Sequence, residues 1–345
     1  MECSSVIGID IGGANLKYAC RDGRAWSSPF PMWKQRDQVS SAIARDLSEH
    51  FGFVNDLNGD SWEQRSLAIT ITGELADCFV DRAEGVQYLA AQAMDAAAHL
   101  GISEVWFYGV DGTFHNADSA SRQPDLIAAA NWHALATYVA REFLPDALVI
   151  DIGSTTTDIV PIRDRQVATR ASTDHERLNE GSLVYVGCRR TPVCALVDRL
   201  RFRGQSTPVM NEFFATIDDA QLVLRYVDEA PSDLDTADGQ PRTRLAAANR
   251  LARMIGLDQR SVKSSEAEEI AVQIMDAARQ RIAVGVQTLD QGDPIVLSGH
   301  GRGLLDFGGK EVVKLADRFN EDVARCAPSF AVAHLLHCEL TEARN

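Results

Sequence analysis

Two carboxylates, Asp10 and Asp151, stand at matching places in two short segments of this chain. The first segment is Ile9-Asp10-Ile11-Gly12-Gly13-Ala14-Asn15-Leu16-Lys17, and the second is Ile150-Asp151-Ile152-Gly153-Ser154-Thr155-Thr156-Thr157-Asp158. Each has an acid at the end of an apolar run, a glycine-led turn, and a polar stretch that resumes a strand. Such a turn brings backbone N–H groups and hydroxyls up to a phosphate, and the Asp can hold a hydrated Mg²⁺. Gly12, Gly13, Gly153 and Ser154 would offer N–H groups, with Asn15, Thr155 and Thr156 as short polar donors and Lys17 as a point charge. Two copies predict two related half-molecules closing on one phosphorylated ligand, with Asp10 and Asp151 facing each other as metal-ordering and catalytic acids.

Strands alternating with helices must position these turns, the pattern of an α/β protein. Residues 5–10 and 15–21 read as a hairpin around the first turn, followed by a helix over 36–51 and a buried strand over 66–71. A helix over 85–100, a strand over 104–108 and a long helix over 124–143 complete the first half. Residues 147–150 and 157–162 repeat the opening hairpin, and 166–170 extend its sheet. The less regular stretch 171–242 reads as an insertion. Helices follow over 243–256 and 265–287, the second opening on a Ser265/Glu268 capping box. A strand over 294–297 leads into Ser298-Gly299-His300-Gly301, then a helix over 309–325 and a strand or short helix near 330–340.

Other polar residues fall where α/β folds gather ligand groups. Thr72, Gly73, Glu74 and Asp77 follow a strand, and Glu74 and Asp77, three apart, would share one face as acids or bases. Asn131 sits inside a predicted helix, where Asn has no local advantage. Asp174 is a third candidate base, and Arg177 and Arg190 could neutralise anionic groups. Gly299, His300 and Gly301 would let a flat nucleotide or substrate ring approach the backbone. Asp233, Asp235 and Asp238 fail the calcium-loop spacing, with Arg244 at the twelfth position. His334, His337 and Cys338 read as packing residues rather than zinc ligands, and Cys188 and Cys194 as small buried ones.

The 345 residues carry a net charge of −15 and 45% hydrophobic side chains, enough for about two cored domains. The acidity argues against nucleic acid and anionic membranes as partners and leaves a small phosphorylated molecule. The N-terminal residues read as neither a secretory signal nor a membrane span, and seven cysteines without CxxC pairing fit reduced thiols. The expectation is a cytoplasmic protein; its oligomeric state is not readable.

Taken in order, the 10–13, 151–156 and 297–301 segments resemble the superfamily of actin, sugar kinases and heat-shock ATPases. That resemblance implies an α/β fold of two RNase H-like domains around a central phosphate-binding cleft, here over 1–145 and 146–345. The segments 72–77, 174–178 and 184–193 resemble one branch, the hydantoinase/oxoprolinase-like proteins linked to tetrahydromethanopterin one-carbon metabolism. Within it the chain is similar to the family of methanofuran-biosynthesis condensing enzymes. The resemblance implies a transferase that joins an aminomethylfuran-methyl diphosphate to the phenol oxygen of a γ-glutamyl-tyramine or tyrosine-derived acceptor, releasing diphosphate. The phosphate turns and Mg²⁺ would then hold the leaving diphosphate, with Glu74, Asp77 or Asp174 as base. The alternatives are an ATP-dependent small-molecule kinase or oxoprolinase-like hydrolase, and an actin-like nucleotide-binding protein.

Overall fold

A computed structural model describes residues 6–52, 61–301, 304–305, 307 and 309–343. Residue 5, assigned above to the first strand, lies outside them. The chain opens with strands β1 (Val6–Gly12), β2 (Asn15–Cys20) and β3 (Ala25–Pro29), then helices α1 (Met32–Gln35) and α2 (Val39–Phe51). Next come β4 (Ser66–Thr72), α3 (Arg82–Leu100), β5 (Glu104–Tyr108), β6 (Phe114–His115), α4 (Ala117–Arg122), α5 (Pro124–Ile127) and α6 (Asn131–Glu142). The second half begins with β7 (Ala147–Ile152), β8 (Thr157–Arg163), β9 (Gln166–Val167), α7 (Asp174–Glu180), β10 (Leu183–Val184) and α8 (Val193–Leu196). Then follow the ribbon β11 (Arg199–Phe202) and β12 (Gln205–Pro208), α9 (Ile217–Val223), α10 (Arg244–Arg253) and α11 (Ser264–Leu289). The chain closes through β13 (Ile295–Gly299), β14 (Val312–Lys314), α12 (Leu315–Arg318), α13 (Glu321–Arg325) and α14 (Ala327–Glu342).

The two sheets repeat one plan. In the first, ordered β3-β2-β1-β4-β5-β6, β1 pairs antiparallel with β2 and parallel with β4. In the second, ordered β10-β8-β7-β13-β14, β7 pairs antiparallel with β8 and parallel with β13. This is the α/β architecture of two RNase H-like domains that the sequence predicts. Near-continuous apolar runs in β1, β4 and β7 suit strands covered on both faces.

One core joins the two sheets. Val6, Ala19 and Ala68 of the first sheet and Val149, Val160 and Val296 of the second pack into it with α6 and α14. Gly8 lets α14 come close, because a Cβ there would lie 1.8 Å from the Ser329 carbonyl oxygen.

Four local expectations are corrected. The 124–143 segment breaks into α5 and α6: Ala129 adopts φ 51° and its N–H bonds the Ile71 carbonyl at 2.9 Å, so tertiary pairing overrides helix propensity. The N-terminus of α11 is capped by Glu266, which accepts from the Lys263 amide at 2.8 Å, rather than by Ser265 with Glu268. Residues 309–325 form β14 and two short helices, because β14 adds to the sheet edge. The stretch near 330–340 lies within the long α14, most of whose first ten residues are buried. No helix among the described residues is long and apolar enough to cross a membrane.

Candidate functional site

Register aligns the first acid with its cation. Asp10 and Lys17 are antiparallel partners on β1 and β2, so their side chains project from one face. Thr70, directly opposite Asp10 on β4, and Thr72 donate to Asp10 Oδ1 at 3.3 and 3.0 Å. Asp10 is buried, and that burial raises its pKa against the pull of Lys17 and the two hydroxyls. Burial works against the Lys17 ammonium too, yet Asp10, with Cys326 and Asp151, outweighs it and raises the Lys17 pKa. One ammonium thus feels both acids.

In the second hairpin the place of Lys17 is taken by Asp158, the antiparallel partner of Asp151. Burial, then the Asp158 charge, pushes the Asp151 carboxyl up to about 6. Asp158 is itself neutralised by Arg177, whose guanidinium donates to Asp158 Oδ1 at 2.7 Å and to the Ser182 carbonyl at 2.9 Å. Arg177 is 1% exposed and lies 4.2 Å from the centre of the Trp132 ring. This corrects the expectation that Arg177 faces an anionic substrate: it is the buried counter-ion of Asp158.

Both glycine turns have occupied carbonyls and free amides, with one exception. The Gly153 N–H, expected to reach a phosphate, instead closes the turn by donating to the Thr156 carbonyl at 2.9 Å. The Gly13 and Ala14 carbonyls accept from the Met32 and Phe30 amides at 3.0 and 2.9 Å. The Gly153 carbonyl accepts from Cys188, and the Ser154 carbonyl from Arg189 and Arg190, at 2.8 to 3.0 Å. The N–H groups of Gly13, Ala14, Ser154 and Thr155 have no acceptor among the described residues. Free amides fed by occupied carbonyls are the makings of an anion nest. Each turn is also backed by a glycine: a Cβ on Gly73 would lie 3.0 Å from Gly12, and one on Gly187 would lie 2.5 Å from Ser154 and Thr155. Sequence reasoning missed Gly187, although its setting, Val186-Gly187-Cys188, has the look of a close backbone approach.

A cleft of about 1010 Å³ brings together six of the predicted residues, Asn15, Lys17, Ser154, Arg190, Gly299 and His300, along with Trp33 and Lys34, which the sequence did not single out. Its cations divide into two kinds. Arg189 pairs with Asp233 at 2.7 Å, and Arg242 with Asp218 at 2.6 Å. Lys34, Arg190 and Arg325 have no carboxylate partner among the described residues. The uncommitted charges favour an anion in that part of the cleft. The glycines of the 299–301 turn are explained by the protein's own packing, since a Cβ at Gly299 or Gly301 would lie 2.3 or 2.2 Å from Ile152.

Glu74 and Asp77 part company. The segment after β4 is a series of turns with no helix, so the three-residue spacing brings no shared face. Asp77 is exposed, whereas Glu74 is 2% exposed and its Oε2 has no partner. Burial, with the Asp174 and Asp10 charges, pushes Glu74 up to about 7. Asp174 belongs to the first turn of α7, whose cap is the Thr173/Glu176 box, and burial raises its pKa against Arg177. Part of the Asp174–Leu178 motif is therefore a helix start. Asn131 is the first residue of α6 rather than a mid-helix residue, and the chain just before it hangs on the end of β4 through Ile71 and Ala128. The buried Nε1 of Trp132 and Nε of Arg177 also lack partners. Glu74 feels the Asp174 and Asp10 charges, and Asp174 in turn those of Arg177 and Asp158.

Residues 65–309 match the hydantoinase/oxoprolinase family. A protein of Methanocaldococcus jannaschii named (4-{4-[2-(γ-L-glutamylamino)ethyl]phenoxymethyl}furan-2-yl)methanamine synthase is 32% identical over 97% of this chain and 98% of its own length. A protein of the same name from Methanococcus vannielii is 31% identical over 61% of this chain and 99% of its own. Among solved structures, the activator of 2-hydroxyisocaproyl-CoA dehydratase from Clostridium difficile aligns with 99% of this chain and 97% of its own, at 10% identity and a TM-score of 0.46. The chain belongs to the hydantoinase/oxoprolinase family, in the branch that holds these furan-methanamine synthases.

Proposed function

We propose that this protein is a cytoplasmic transferase that forms an aryl ether. It joins an aminomethylfuran-methyl diphosphate to the phenol oxygen of a γ-glutamyl-tyramine or tyrosine-derived acceptor and releases diphosphate, within methanofuran-type, tetrahydromethanopterin-linked carrier synthesis. The observation that carries this reading is Glu74, a buried carboxyl with an unpartnered oxygen and a pKa pushed up to about 7, electrostatically coupled to Asp10. The name of the relatives, which spells out a phenoxymethyl-furan ether, supports the same bond.

The furan ring stabilises positive charge on its exocyclic CH₂, so the bond from that carbon to the diphosphate oxygen breaks with its electron pair leaving on the diphosphate. The free amides of the two turns, Lys17 and Arg190 receive that charge. The phenol oxygen forms the new bond to carbon, and Glu74 accepts its proton.

Asp10, buried, and Asp151, half-buried, suit a hydrated Mg²⁺, because a divalent cation would relieve the raised pKa of each carboxyl. When bound, the ion neutralises the leaving diphosphate. No group of three or more His, Cys, Asp or Glu side chains able to hold a metal is found among the described residues, so water and substrate would complete its shell. Purified protein given both substrates with Mg²⁺ should yield the ether and one diphosphate per turnover. Consumption of ATP with an alcohol or amide substrate, and no ether, would replace this reading with the kinase or hydrolase one.

A further inference from the structure

The two phosphate turns each carry a satellite segment, and the satellites meet. On the first side, the Phe30 and Met32 amides tie residues 30–32 to Ala14 and Gly13, and both side chains are buried. The next residue, Trp33, is left 39% exposed on the cleft. On the second side, the Cys188, Arg189 and Arg190 amides tie that segment to Gly153 and Ser154. Arg189 is committed to Asp233 and Asp235. Its neighbour Arg190 has no carboxylate partner among the described residues, and its guanidinium lies 5.0 Å from the centre of the Trp33 ring.

An exposed cation–π contact is weaker than the charge-assisted, two-pronged bond that a guanidinium makes with phosphate. A diphosphate in the cleft would therefore draw Arg190 off the ring, and the freed face of Trp33 would be open to a flat group. Resting on the transferase reading, we propose that Trp33 and Arg190 form a clasp selecting diphosphate esters that carry a flat aromatic ring. Arg190 binds the phosphate and Trp33 stacks on the ring. Neither forms or breaks a bond itself: Trp33 holds the ring, and Arg190 holds the phosphate on which the leaving charge develops.

A matched pair of probes separates the two roles: methylenebisphosphonate and its furfuryl ester, both resistant to cleavage, titrated calorimetrically with Mg²⁺. The unaltered protein should prefer the furfuryl probe. Trp33→Leu should cut affinity for the furfuryl probe by about tenfold and change that for the bare probe by less than about twofold, the signature of lost stacking. Trp33→Phe should keep most of the preference, and Arg190→Gln should weaken both probes by a similar factor, about tenfold. Equal losses for both probes in Trp33→Leu, or no loss for either, would overturn the clasp. Ether formation with unchanged KM in Trp33→Leu would also overturn it while leaving the transferase standing. A Trp33-dependent preference in a protein that makes no ether would keep the clasp and remove the reaction.

Discussion

The hairpins of Asp10 and Asp151 are built alike and charged oppositely. In both, the acid faces a cross-strand partner seven residues on, but that partner is Lys17 in the first and Asp158 in the second. The first hairpin is a neutral acid–base pair whose ammonium also feels the opposite acid. The second is a pair of like charges made tolerable by the buried Arg177. The repeated hairpin therefore sets a shape, and the residue at one register position sets the charge of each copy. On the proposed function Lys17 would serve the ligand, whereas Arg177 is the buried counter-ion of Asp158.

The sharpest way to break that comparison is Lys17→Met. Turnover should fall by about 100- to 1,000-fold, as for loss of a group that stabilises developing charge. Stability should change little, because Asp10, already raised by burial, can take up a proton instead. Steady-state kinetics beside a urea melt would check both, and a large loss of stability with intact turnover would reverse the two roles.

Asp158→Asn should do the opposite. It strands Arg177 in the interior, at a cost of about 3–5 kcal/mol, while Asp158→Asn combined with Arg177→Met should recover much of that loss. The comparison rests on urea midpoints for the two single variants and the double; purely additive losses would mean that the pair is not coupled.

Glu74 and Asp77 sharpen the contrast on a smaller scale. Glu74→Gln should slow turnover by about 100-fold and abolish an acid limb in which rate falls as pH drops below about 7. Asp77→Asn should alter turnover by less than about twofold, as expected of an exposed side chain. The same shift carries a stability sign. A carboxyl raised from 4.5 to about 7 favours the folded state at low pH, and that contribution is lost as pH rises through about 7. Glu74→Gln should accordingly gain stability relative to the parent above pH 7 and show no such gain below pH 4.5. A pH series of melting curves tests this, and a gain confined to low pH would contradict it.

Much of the scaffold was legible because it is written in local terms. The apolar runs of β1, β4 and β7 and the glycine turns after β1 and β7 name the hairpins directly. Segments governed by distant partners were not legible. Ala129 takes its conformation from Ile71, and α14, apolar nearly all round, has no amphipathic period to separate it from a strand. At the site, the acids and the loop arginines were visible as types, but burial assigned their work. It divided Glu74 from Asp77 and turned Arg177 inward. Trp33 and Lys34 lay outside every motif, although an aromatic–basic pair just after two prolines is a signal that could have drawn attention.

The close approach of Gly8 and Ser329 has a consequence for how the chain acquires its shape. Ser329 also donates to the Lys17 carbonyl, 312 residues away in sequence at 3.1 Å. The strand pair bearing the first glycine turn is thus covered by a helix that is synthesised 312 residues later. Contacts of such span are slow to close and leave sheet surface open in the meantime. During translation the first sheet has to wait, uncapped, for α14, so the candidate site is completed by a helix far along the chain rather than by the hairpin that begins it.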